Sequence, residues 1–184
     1  MGDRMRLGIA DHFGWAVAVT ASDDHEVVDR RRLELVEPGV TPAPMHYDSK
    51  QLSVAATAKL VDEVRASVAR ATAAALDDLA ATLPEPIVSI SLRVWPTDFP
   101  EDIAVQRQVP YESRADAIMY RQVLAQAAEE RGWAVHLYRA KDVEAQAVAQ
   151  LGARADDVLH GPRTRLGPPW TKDHRTALAA TICA

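Results

Sequence analysis

Residues 5–20 read MRLGIADHFGWAVAVT, an apolar run interrupted once, at Asp11-His12-Phe13-Gly14. The interruption is polar and closes on glycine. The run therefore reads as two strands, 5–11 and 14–21, joined by a tight turn. Ser22-Asp23-Asp24-His25 is a second turn, and 26–37 (EVVDRRRLELVE) alternates Leu33 and Leu35 with charged neighbours. That alternation predicts a third antiparallel strand with one wet face. The chain thus begins as a three-stranded meander.

Outward from the meander, 38–49 is a loop with three prolines, and Asp48 or Ser49 is placed to cap the next helix. Residues 50–82 carry Leu52, Ala55, Ala56, Leu60, Val64, Val68 and Leu76 at helical spacing, the longest periodic segment of the sequence. Ile87–Trp95 reads as a fourth strand, cut off by Pro96, and 96–112 as a long acidic loop. A helix over 113–131 ends at Gly132, a strand covers 133–138, and two more helices occupy 141–151 and 171–183 around a loop at 152–169. The order is β-β-β-α-β-α-β-α with one extra helix. Strands that alternate with helices need crossover connections and pair in parallel. The expected class is α/β: a three-layer, five-stranded mixed sheet in one domain spanning 1–184.

Composition narrows the function classes. The 184 residues hold 48% hydrophobic side chains and a net charge of −5, from 21 Lys+Arg against 26 Asp+Glu. This excludes a chain too polar to fold and one coated in positive charge, but not a local basic groove. Cys183 is the single cysteine, so neither an intrachain disulfide nor a cysteine-based zinc site is available. Residues 1–6 lack the apolar core of a signal peptide, Arg6 stands where a Gly2 myristoylation motif wants Ser or Thr, and no apolar run approaches membrane-spanning length. A soluble cytoplasmic protein with no membrane partner is expected.

Three stretches carry a resemblance: Leu7-Gly8-Ile9 with Gly14-Trp15-Ala16-Val17, then Lys141–Val148, then Asp173-His174-Arg175-Thr176-Ala177-Leu178-Ala179. With the element order, they resemble the ribonuclease H-like fold and, within it, the bacterial RuvC-type Holliday-junction resolvase group. That resemblance implies phosphodiester cleavage by two Mg²⁺ or Mn²⁺ ions, about 4 Å apart, held by four acids. The acids belong on the first strand, the fourth strand and the last helix, where two stand at i and i+3. Asp173 falls on the first acid of the helix, and Thr176 stands in place of the second. The fourth strand carries Ser89 and Ser91 where an acid is wanted. Ala10 occupies the first-strand position and Asp11 comes one residue later, a shift that sends a strand side chain to the opposite face. The catalytic set is incomplete.

The candidate catalytic residues are Asp11 and Asp173, and with His12 and His174 they form a candidate metal set. The dipeptide Asp-His occurs at both places, and imidazole suits Mn better than Mg. The plainer alternative puts Asp11 in a hairpin turn and Asp173 in the first turn of a helix. Asp98, Glu101 and Asp102 lie beyond the fourth strand, either as substitute ligands or as a solvated loop. Arg163, Arg165, Trp170, Lys172 and Arg175 surround a Gly/Pro-rich stretch beside Asp173. They suit phosphate contact and base stacking on branched or single-stranded nucleic acid, unless Trp170 is a packed anchor. No P-loop, nucleophile elbow or dinucleotide glycine turn is present. Two functions fit these residues: a metal-dependent nuclease or nucleic-acid-binding protein related to resolvases, or an inactive module that binds a partner or dimerises through the 50–82 helix.

Overall fold

The computed structural model describes residues 4–184. Residues 1–3, part of the N-terminal stretch read for targeting, lie outside the described residues. The strands are β1 (Met5–Asp11), β2 (Trp15–Ala21), β3 (Val27–Glu34), β4 (Ile87–Arg93) and β5 (Ala134–Tyr138). The helices are α1 (Val54–Thr82), α2 (Ile103–Gln106), α3 (Tyr111–Glu130), α4 (Val143–Leu151), α5 (Ala155–His160), α6 (Pro162–Leu166) and α7 (Lys172–Ile182). The sheet order is β3-β2-β1-β4-β5, with β1, β2 and β3 antiparallel and β4 and β5 parallel to β1. The three-layer, five-stranded mixed sheet is as expected. Among the described residues, no helix is long and apolar enough to cross a membrane.

Strand alternation divides the interior in two. Leu7 and Ile9 of β1 join Val64, Val68, Leu76, Leu79, Met119, Tyr120 and Leu124 in a core beneath α1 and α3. Ala10 of β1 joins Val143, Ala147, Ala177, Leu178 and Trp170 in a second core beneath α4 and α7. On that second face α7 lies unusually close. A Cβ built on Gly8 falls 2.7 Å from the Ala177 carbonyl carbon and nearer still to its oxygen, which no real contact tolerates. A polar link holds the approach, Ser91 Oγ donating to the Ala180 carbonyl at 3.0 Å, and Tyr138 OH ties β5 to β1 by donating to the Ile9 carbonyl at 2.6 Å.

The structure departs from the expected elements where short segments hide from periodicity. The expected loop 152–169 contains α5 and α6, because Ala155, Val158 and Leu159 give one buried helical face and Pro162 starts the next helix. The third strand stops at Glu34, three residues early. The long acidic loop contains α2, capped by Asp102, whose Oδ1 accepts from Ala104 N at 2.8 Å. Helix α1 begins after Ser53, whose side chain accepts from Ala56 N, and its 29 residues run about 43 Å.

The proline-rich loop before α1 forms a π-helical turn, Pro44–Asp48. Asp116 of α3 clamps it, accepting from Met45 N at 3.1 Å and His46 N at 2.9 Å. Asp116 is 2% exposed. Burial pushes its carboxyl up to about 7, against the two backbone hydrogen bonds that favour the charged form.

Two of these features set measurable stabilities. Gly8→Ala should lower unfolding free energy by about 3 kcal/mol in a urea titration, since the obstacle is backbone and has nowhere to move. Asp116 binds its proton more tightly folded than unfolded, so its contribution to stability falls as pH rises from about 4 to about 7. Urea midpoints across that range should show a smaller decline in Asp116→Asn than in the parent, and identical slopes would refute the assignment.

Candidate functional site

The pairing of β1 with β2 runs without a break to Asp11↔Ala16, so nothing re-aims the last side chain of the strand. Asp11 keeps the phase of Leu7 and Ile9 and faces α3. There Arg121 Nε donates to Asp11 Oδ2 at 2.9 Å, while Arg121 Nη1 donates to the Val94 carbonyl at 3.2 Å. Arg93, the last residue of β4, shares the phase of Ser89 and Ser91 and rises from the α7 side. Its Nη1 donates to the Asp11 carbonyl at 3.1 Å. Its Nε lies 3.8 Å from Asp11 Oδ1, and its Nη2 lies 3.8 Å from Asp173 Oδ1. The guanidinium of Arg93 therefore bridges the two candidate carboxylates. Asp173, in the first turn of α7, also meets His12, with Nε2 2.9 Å from Oδ2. The His12 ring stacks on Trp15 at 4.1 Å, and Arg32 sits 4.0 Å from the centre of the same indole.

Asp11, His12 and Asp173 thus converge on one end of the sheet, as the sequence implied. What fills the space between them differs. Asp11 is 5% exposed, and a carboxylate that deep must be neutralised or paired. It is paired twice, with Arg121 closely and Arg93 more loosely. Asp11 Oδ1 and Arg93 Nε are both buried without a hydrogen-bond partner, so this contact is charge against charge at a distance.

The residues present do not fit the Mg²⁺ or Mn²⁺ pair that the resemblance implied. Such ions need several carboxylate oxygens at about 2.0–2.6 Å with no cation in between. Here the oxygens already face guanidinium groups. Ser91 hydrogen-bonds the α7 backbone, Thr176 is buried, and among the described residues no three His, Cys, Asp or Glu are grouped to hold a metal. The His174 expectation is corrected as well. Its Nδ1 lies 2.8 Å from Thr171 Oγ1 and accepts from Thr171 N at 3.2 Å, closing a capping box that starts α7. Burial lowers its pKa, with Arg30 adding to the effect.

The basic stretch is also partly committed. Trp170 is buried and donates from Nε1 to the Leu159 carbonyl at 2.8 Å, which makes it the packed anchor rather than a stacking platform. Arg175 pairs with Glu144 at 3.2 Å. Arg165 pairs with Asp157 at 2.9 Å on the surface, and Arg163 and Lys172 are exposed. Arg30 of β3 holds the connection before α7, donating to the carbonyls of Leu166 and Gly167 at 2.8 Å and also to that of Pro169. Asp98 and Glu101 stand in solvent, and Asp102 is the α2 cap. Sequence reasoning missed Arg93 and Arg121. Arg93 left a trace, as the one charge in a strand of serines and aliphatics.

No protein-family model matches the chain, and no curated protein is similar to it in sequence. Solved structures are similar to it in fold. Thermus thermophilus RuvC in complex with a Holliday junction substrate aligns at 13% identity and a TM-score of 0.50, over 97% of this chain and 90% of that one. A second Thermus thermophilus RuvC structure gives the same values. The chain has a ribonuclease H-like, RuvC-like fold, and at this identity the likeness is one of fold.

Removing one partner of a buried ion pair strands the other. Arg121→Ala should therefore lower unfolding free energy by about 3 kcal/mol. Adding Asp11→Asn to that variant should restore part of the loss. A double-mutant cycle in urea reads the coupling, and additive effects would sink the assignment.

Proposed function

We propose that this chain is a ribonuclease H-like module that holds nucleic acid without cleaving it. The observation that carries the reading is Arg93, whose guanidinium lies between Asp11 and Asp173. A positive side chain in that place supplies the charge balance that metal ions would otherwise provide. It cannot activate a water or take up the negative charge of a leaving oxygen as a pair of divalent ions does. The cluster then serves to lock β1, β4, α3 and α7 together.

Nucleic acid is the favoured ligand for two reasons. The fold is similar to a RuvC solved with a Holliday junction substrate. Arg163, Arg165 and Lys172 also present exposed cations near the start of α7. The Arg165–Asp157 pair, open to solvent, contributes at most about 1 kcal/mol and yields readily to phosphate. The partner-scaffold alternative through α1 has less support. The outer positions of that helix, such as Asp62, Glu63, Arg65, Ala69 and Arg70, form a charged and small-residue face rather than an apolar stripe.

The test is a four-way junction and a single strand, each offered with Mg²⁺ or Mn²⁺. Binding that weakens steeply with salt, no cleavage, and a melting temperature unmoved by either metal are expected. Arg163→Gln with Lys172→Gln should weaken binding several-fold and leave the melt unchanged. Metal-dependent cleavage abolished by Asp11→Asn would overturn the reading, and so would absence of binding at low salt.

A further inference from the structure

A cleft of about 480 Å³ opens between α1, α3 and the segment after β4. It is apart from the Asp11 cluster, although Arg121 and Gln122 are neighbours on α3. Its volume lies within the range of ordinary small-molecule sites, roughly 300–1,000 Å³. Burial sorts its lining into layers. Met45, Asp116, Ile118 and Met119 are buried and make the floor. Trp95 and Phe99 are half-buried walls, and Arg65, Glu101 and Gln122 are exposed at the mouth. In the floor Asp116 is held by the Met45 and His46 backbone amides, and in the wall Phe99 packs edge-on against Tyr111 at 5.9 Å.

The chemistry of that lining is mixed in a specific way. Two aromatic faces and two methionines suit a flat ring. Arg65 Nη2 donates to Gln122 Oε1 at 2.9 Å, which leaves the Gln122 amide nitrogen and the other Arg65 donors for a ligand. Gln106 Nε2 donates to the Pro100 carbonyl at 2.6 Å, which leaves its own oxygen as an acceptor beside the walls. Amide donors and acceptors in a cleft lined by aromatic rings match the edge of a heterocycle. A guanidinium at the mouth matches a phosphate, and a carboxylate there matches vicinal hydroxyls, the pairing that dinucleotide sites use for ribose.

We infer that this cleft binds one ribonucleotide unit, its base between Trp95 and Phe99, its ribose toward Glu101 and its phosphate on Arg65. The unit is either a free nucleoside monophosphate or an unpaired residue of a strand. The inference stands apart from the proposed function, because the cleft shares no residue with the Arg93 bridge or with Arg163, Arg165 and Lys172.

The experiment is calorimetric titration of the full chain with adenosine 5′-monophosphate, adenosine, 2′-deoxyadenosine 5′-monophosphate, inorganic phosphate and an adenylate pentamer. Saturable binding of adenosine 5′-monophosphate is expected, weaker for adenosine and for the deoxy compound, with no competition from phosphate at equal concentration. Arg65→Gln, at an exposed helix position, should weaken it about tenfold with an unchanged melting temperature, and Phe99→Ala, at a half-buried loop position, should weaken it about tenfold in a protein that still melts cooperatively. A pentamer binding at least tenfold tighter, with the same sensitivity to Phe99→Ala, identifies the strand as the source, and equal affinities identify the free nucleotide. No saturable binding at millimolar adenosine 5′-monophosphate, or binding indifferent to both variants, overturns the inference. Binding of adenosine 5′-monophosphate here, together with failure to bind either the junction or a single strand, would remove the proposed function and leave this site standing.

Discussion

Helix α7 can lie where it does only because β1 offers it no side chain at Gly8. With the Ala177 carbonyl carbon 2.7 Å from the position of a Cβ, helix and strand touch backbone to backbone. That contact sets the rest of this face. Ser91 reaches the α7 carbonyls, Ala10 and Ala177 share one core, and Asp173 in the first turn arrives at the end of the sheet beside His12. A larger residue at position 8 would tilt the helix away and dissolve the polar cluster before any of its charges were changed.

The cluster itself is governed by burial. Burying a carboxylate as deep as Asp11 without a counter-charge costs several kcal/mol. In this chain arginines from β4 and α3 supply it, one from each side of the sheet. Strand phase decides the partner. Asp11 stands one residue beyond the position that would face α7, so its nearest cation comes from α3, and Arg93 bridges the two faces from the strand end. His12, held by Asp173 and stacked on Trp15, closes the remaining side.

Most of the architecture was legible in the sequence, for physical reasons that can be named. The break at Asp11-His12-Phe13-Gly14 and the alternation around Leu33 placed the meander, and long-range helical spacing placed α1 and α3. Helices α5 and α6 were not legible, because segments of six and five residues, ADDVLH and PRTRL, are too short for a helical period to stand out. The gathering of Asp11, His12 and Asp173 was also foreseeable from the element order. Their neutralisation by arginine was not, since Arg121 lies 110 positions from Asp11 and meets it only through the packing of α3 on the sheet. Trp170 looked like an exposed aromatic among basic residues. It is packed in the core beneath α4 and α7, and its indole N–H is satisfied by the Leu159 carbonyl, in a helix that the sequence did not announce.

The pairing of Arg93 and Arg121 with Asp11 has a consequence for how this chain can vary. Losing either arginine alone leaves a buried carboxylate short of positive charge, and gaining an acid at Ser91 adds another negative group to the interior while breaking the hydrogen bond to Ala180. Each single step toward a metal-binding set passes through a less stable protein. The arrangement therefore sits in a local optimum of sequence space, with several simultaneous substitutions between it and a metal centre. Drift among its descendants should fall on the outer faces of α1 and α6 and leave this end of the sheet as it is.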